Sequence, residues 1–218
     1  MLHIRKSINI VDSYQNDIGT PDAVELETNI NLDFAGFEKE NAQLTAQYHL
    51  SKWSATVALI KHYSAGSNIN NDLIRVGGDP AELGYVEQRE YNALIGLGGR
   101  VELAEPHHVY SGTGTFDPRD VTVEGIFKTP AFMSTSLSIK VAVKTTNYRR
   151  KEDEDHVLHF TLPAGFSDGF YIAPYSHDPE ELEFLILANI SFKYLGTKIV
   201  DLDGVTRHFH SYRPLTSG

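Results

Sequence analysis

The hydrophobic period of this chain changes once, near Pro106, and that change limits the folds open to it. Ahead of Pro106, Trp53, Val57 and Ile60 follow the i, i+4, i+7 stripe of an amphipathic helix behind Ser51, a good N-cap residue. After it the spacing falls to two. Val157, His159 and Thr161 alternate with Leu158, Phe160 and Leu162 ahead of a Pro163-Ala164-Gly165 turn, the pattern of a strand. Helices first and strands after predict an α+β domain. A chain of 218 residues with 41% hydrophobic content is long enough to bury one core, so residues 1–218 are read as a single domain. Residues 1–50 form its arm and helix start, 51–104 its helical part and 105–218 its β-rich core.

In finer detail, Leu2, Ile4, Ile8 and Ile10 suit a short strand, and residues 12–33 read as a polar loop. Helical spacing begins near Phe37, breaks at Gly66 and resumes as a short turn over Asn68–Leu73. Asp79-Pro80-Ala81-Glu82 combines a cap, a first-turn proline and an acid three residues on, which predicts a helix reaching Leu97. Strands are expected at His107–Ser111, Asp120–Phe127 and Ala131–Ser136, a helix at Ser138–Thr146 and an exposed charged loop at Arg149–Asp155. Asp203-Gly204 between Ile199–Leu202 and Val205–Tyr212 marks a hairpin, since Asp-Gly supplies the positive φ of a two-residue turn. Phe184–Leu187 reads as a buried strand. Alternation carried back from it puts Glu181 and Glu183 on one face and Leu182 on the other.

A formal net charge of -10 argues against a surface that tracks nucleic-acid phosphates, which rests on clustered Lys and Arg. The absence of cysteine removes disulfides and thiolate zinc sites. No stretch approaches a membrane span, and the start MLHIRKSINIVDSY is too polar for a signal-peptide core. A soluble, cytoplasmic protein, or one delivered into a host cytoplasm, is expected. His107-His108 and His208-Phe209-His210 suggest metal ligands, but without His-Glu-x-x-His no metal is predicted. Gly112-Thr113-Gly114 lacks the rest of a phosphate-loop pattern, and Asp178, Glu180, Glu181 and Glu183 lack EF-hand spacing.

Three pieces of the second half carry chemistry together: Val109-Tyr110-Ser111-Gly112, Phe132-Met133-Ser134-Thr135-Ser136 and Glu181-Leu182-Glu183. Singly each has a structural reading, hydroxyl capping for the Ser-Thr-Ser run and a solvated strand start for the glutamates. In this order and spacing they resemble the mono-ADP-ribosyltransferases of the Arg-Ser-Glu clade, which includes binary clostridial toxins and phage enzymes that modify host proteins. The resemblance extends over Trp53 to Asp201, through Tyr63 to Leu73 ahead of the core and Val157–Gly165 within it. It implies a split, mostly antiparallel β-core with N-terminal helices packed on it, and NAD as substrate.

What the resemblance implies for single residues follows position by position. Glu183 matches the glutamate that stabilises the oxocarbenium-like state, and Glu181 the first glutamate of an E-x-E pair that goes with an arginine acceptor on a protein target. Ser134 matches the serine that fixes the catalytic glutamate. Thr135, Ser136, Gly112, Tyr63 and Asn70 fall at positions on the dinucleotide side, and Gly169–Pro179 matches the target-recognition loop. One position departs from the pattern: Ser111 stands where the clade carries its NAD-anchoring arginine. His107, His159, Arg75 and Arg119 are candidate substitutes for that cation. The implied reaction is transfer of ADP-ribose from NAD to a protein arginine with release of nicotinamide. NAD glycohydrolysis is the enzymatic alternative, and a degenerate NAD-binding or protein-interaction module is the non-enzymatic one.

Overall fold

The computed structural model describes residues 10–11, 37–50, 55–114, 122–149, 154–202 and 205–215. Helical spacing becomes helix where expected. Four helices lie ahead of Pro106: α1 (Phe37–Gln47), α2 (Ala55–Ser64), α3 (Ile69–Arg75) and α4 (Tyr85–Ile95). Val57, Ile60 and Tyr63 of α2, Ile69 and Leu73 of α3, and Leu94 of α4 are buried in the principal core, beside Leu44 and Tyr48 from the first helical segment. Each aliphatic side chain so buried is worth about 1.5–3 kcal/mol, so the helical layer is held mainly by its apolar face. Ser51 and Trp53, and the residues expected as a strand and loop over 2–9 and 12–33, lie outside the described residues.

The strands are β1 (Ile10–Val11), β2 (His107–Gly114), β3 (Ile126–Lys128), β4 (Met133–Ser136), β5 (Glu154–Leu162), β6 (Gly169–Tyr171), β7 (Glu183–Ile186), β8 (Ser191–Leu202) and β9 (Val205–Pro214). They join in the order β1-β8-β9-β5-β2-β4-β7-β6, with β3 on β8. Among them only β5 and β9 pair in parallel. The α+β class and the mostly antiparallel core thus agree with the sequence. The β8–β9 hairpin closes with Leu202 opposite Val205, the two-residue turn that Asp-Gly predicts.

The sheet is nearly divided. β2 runs along β5 from His107 to Gly114, yet it meets β4 only where Tyr110 pairs with Ser136. The long half, through β2, carries α5 (Ile139–Arg149) on one face over Tyr110, Val157 and Phe209. The short half of β4, β7 and β6 packs into the principal core with Phe170, Phe184 and Leu185.

Four expectations need correction. The segment from Asp79 is two elements: Asp79 caps a single 3-10 turn, Pro80–Glu82, accepting from the Ala81 N–H at 2.9 Å, and α4 restarts behind Gly84. Leu83 is extended and buried between them, so the local cap signal is real but the run is broken by core contact. Of the strand expected at Asp120–Phe127 only the end is strand, in β3 (Ile126–Lys128): Glu124 and Gly125 take positive φ and fold Val123 back onto Ile126, and residues 120–121 lie outside the described residues. Of the loop expected at Arg149–Asp155, Arg149 belongs to α5 and Glu154 and Asp155 to β5, and residues 150–153 lie outside the described residues. The fourth concerns the two glutamates. Among the described residues, no helix is long and apolar enough to cross a membrane.

Candidate active site

Glu181 and Glu183 do not lie on one strand. Pro179–Glu181 forms a 3-10 turn capped by Asp178, and Leu182 takes the left-handed conformation, φ 49 and ψ 45, before β7 begins. A leucine at positive φ is held there by its surroundings, and here it is buried in the core while its carbonyl accepts from the Leu137 N–H at 3.2 Å. The reversal removes strand alternation as the link between the glutamates: Glu181 is exposed on the turn and Glu183 is 4% exposed on the strand.

Glu183 is fixed from both sides. Its carbonyl accepts from the Ile172 N–H at 3.0 Å, and its residue pairs with Ser136 across the β4–β7 ladder. Ser134, exposed at the start of β4, donates its hydroxyl to Glu183 Oε1. Burial pushes the Glu183 carboxyl up to about 7; the Ser134 bond opposes this and the Glu181 charge adds to it. A carboxylate poised there changes charge near neutral pH. Burial also raises Glu181, Asp178 raises it further, and Lys144 of α5 pulls it down.

The remaining hydroxyls of the Ser-Thr-Ser run brace this arrangement. Thr135 donates to the Phe184 carbonyl at 2.5 Å, and Ser136 to the Glu181 carbonyl at 2.7 Å while accepting from the Ser138 N–H at 2.9 Å. In the helical layer, Asn70 Nδ2 donates to the Tyr63 hydroxyl at 3.0 Å. Tyr63 is raised by burial and by the charge of Glu183. Among the described residues, the buried Asn70 Oδ1 has no hydrogen-bond partner.

Ser111 and Gly112 lie on β2, on the far side of the Tyr110–Ser136 junction from Glu183. His159, expected as a substitute cation, is 2% exposed on β5 with both ring nitrogens engaged, to His108 at 3.1 Å and Ser211 at 3.0 Å. Burial and His108 push it down to about 3, so it is neutral and adds no charge to the cleft. Arg75 pairs with Asp72 at 3.3 Å on α3, and Arg119 lies outside the described residues. Two features of the site do not follow from the sequence reading: the αL residue at Leu182 and the charge of Lys144. The second has a signal, since Lys140 and Lys144 fall one helical turn apart within the amphipathic Ser138–Thr146 stretch. Among the described residues no group of three or more His, Asp or Glu side chains is placed to hold a metal.

No protein-family model matches this chain, and no curated protein sequence matches it. Solved structures do. An ADP-ribosyltransferase from Clostridium botulinum superposes with a TM-score of 0.67 at 18% identity, covering 84% of this chain and 97% of that one. A second structure, of an S. aureus protein determined with NAD, gives 0.67 at 16% identity over 84% and 96% of the two chains. The ADP-ribosyltransferase Vis from Vibrio splendidus, in complex with agmatine, gives 0.59 at 15% identity over 92% and 89%. The chain therefore has the mixed α+β fold of these ADP-ribosyltransferases.

Proposed function

We propose that this protein is a mono-ADP-ribosyltransferase that moves ADP-ribose from NAD to a guanidinium, that of an arginine on a protein target. The observation that carries the reading is the Ser134–Glu183 hydrogen bond, which joins a buried carboxyl to an exposed hydroxyl. In the reaction the bond between ribose C1′ and the nicotinamide nitrogen breaks, and its electron pair leaves with nicotinamide. The acceptor nitrogen bonds to C1′ and gives up a proton. Positive charge grows on the ribose as the first bond lengthens, so an ionised Glu183 gains attraction as the transition state forms. Ser134 keeps the carboxylate aimed and favours its charged form.

The orphaned Asn70 Oδ1 supports NAD on the Tyr63 side, where a nucleotide N–H or O–H would satisfy it. Ser136 and Thr135 act through the backbone of Glu181 and Phe184, so they position the wall rather than touch the nucleotide. Ser111 and Gly112 would line the opposite half of the cleft, with the hydroxyl replacing a charged fork at the NAD phosphates. Glu181, on an exposed turn beside Asp178, suits a guanidinium, which pairs with a carboxylate through parallel hydrogen bonds. The agmatine held by Vis, a guanidinium compound, supports the same acceptor chemistry.

The test is nicotinamide release from NAD by the purified protein, with and without agmatine or polyarginine. Release that the guanidinium raises, and that falls about 10²–10³-fold in Glu183→Gln, supports the transferase. Glu181→Gln should lose the acceptor-dependent part alone. Release that neither agmatine nor polyarginine raises would instead identify a glycohydrolase, and NAD binding without turnover would identify a binding module whose Ser111 has replaced the anchor.

A further inference from the structure

We infer that Ser64, at the last residue of α2, is a positioning residue for the acceptor carboxylate, tying the Glu181 turn to the helix that carries Tyr63. This rests on the transferase reading. The segment from β6 to Glu181 is fastened to the helical layer at three points that follow the same order along both stretches of chain. The Tyr171 hydroxyl donates to Asn41 Oδ1 at 2.7 Å. The Tyr175 hydroxyl accepts from the Leu50 N–H at 2.5 Å. The His177 N–H donates to Ser64 Oγ at 2.7 Å. The first two anchors use tyrosines whose rings are buried, at 0% and 8% exposure, and they are part of the core. The third differs in kind. His177 is exposed, and from it to Glu181 every residue is exposed, so the Ser64 bond is the last tie before the chain enters the Asp178–Glu181 turn.

Ser64 is suited to the task because its hydroxyl is otherwise satisfied: it donates to the Lys61 carbonyl of its own helix at 3.4 Å while accepting from His177. The residue before it, Tyr63, shares the Asn70 hydrogen bond and senses the Glu183 charge. A ligand gripped by Tyr63 and Asn70 therefore presses on the same helical turn that sets the height of the acceptor turn. The occupied nucleotide side and the guanidinium side are linked through one side chain, with no contact from Ser64 to either substrate required.

The experiment uses the full chain as wild type, Ser64→Ala and Ser64→Thr. Amide hydrogen exchange of the 173–182 segment, measured without substrate, decides whether the tie exists: protection at His177 should fall about 5- to 10-fold in Ser64→Ala and return in Ser64→Thr. Unchanged protection overturns the inference whatever the enzyme's activity. Kinetics decides what the tie does. In Ser64→Ala the KM for agmatine should rise several-fold, while the KM for NAD and acceptor-independent nicotinamide release stay within about twofold. Equal loss of both, or loss not restored by threonine, overturns the positioning role. Wild-type protein that shows the tie by exchange but no agmatine-dependent release would sink the transferase reading instead, and with it the acceptor role of Ser64.

Discussion

Glu183 sits in a contradiction that its chemistry requires. Its function in the proposed reaction needs charge, and its burial opposes charge, lifting the carboxyl to about 7. Nicotinamide release should therefore rise through about pH 7 and level off above it, and a profile flat from pH 5 to 9 would remove Glu183 from the rate-determining step. The Ser134 bond favours the ionised form, so Ser134→Ala should move that rise to higher pH as well as slow the reaction about tenfold at pH 7. The same burial weighs on the fold. A carboxyl raised above its ordinary value of 4.5 gives stability that is full below 4.5 and lost as pH rises through about 7. Glu183→Gln, neutral at every pH, should unfold at higher denaturant than wild type at pH 8, by about 2–3 kcal/mol.

Among the elements, β6 and β7 approach each other closely. A Cβ at Gly169 would run into the Phe184 ring and reach the Leu185 carbonyl at 3.0 Å, so Gly169→Ala should destabilise by about 1–3 kcal/mol, read from the thermal midpoint. Sequence shows these elements unevenly. The run of α2 is legible because one buried face, with Val57 and Ile60, repeats its spacing, and β5 because its residue types alternate, although the fold buries both its faces, Val157 and His159 as well as Leu158 and Phe160. The Asp-Gly hairpin is legible because a two-residue turn needs positive φ. The site's hydroxyls and Glu183 are legible as a motif. What the motif does not carry is Leu182, since its left-handed backbone is imposed by burial and by the Leu137 hydrogen bond from another element. Alternation then fails at the one residue between the two glutamates. His159 escapes the sequence for a similar reason: a strand position fixes its face, but only the packed sheet shows that His108 and Ser211 take both its nitrogens.

Over the whole molecule two buried groups pull stability in opposite directions with pH. His159 is lowered to about 3 from an ordinary value of 6.5, so the stability it contributes is present above 6.5 and lost as pH falls toward 3. Glu183 does the reverse between 4.5 and about 7. Urea unfolding of the wild type should be nearly level between about pH 6.5 and 4.5 and fall below that. Glu183→Gln should begin to lose stability as soon as pH drops below 6.5. His159→Phe, which keeps a ring against Tyr110, should gain stability from about pH 7 to 4.5. The nearly divided sheet has a mechanical meaning as well. Tyr110 opposite Ser136 is the single stitch between β2 and β4, and a fabric joined by one stitch folds along that line before it stretches anywhere else. Any molecule that grips Glu183 on one leaf and Ser111 on the other acts as a clasp across the spine of a book, and what it stiffens is the angle at which the book stands open.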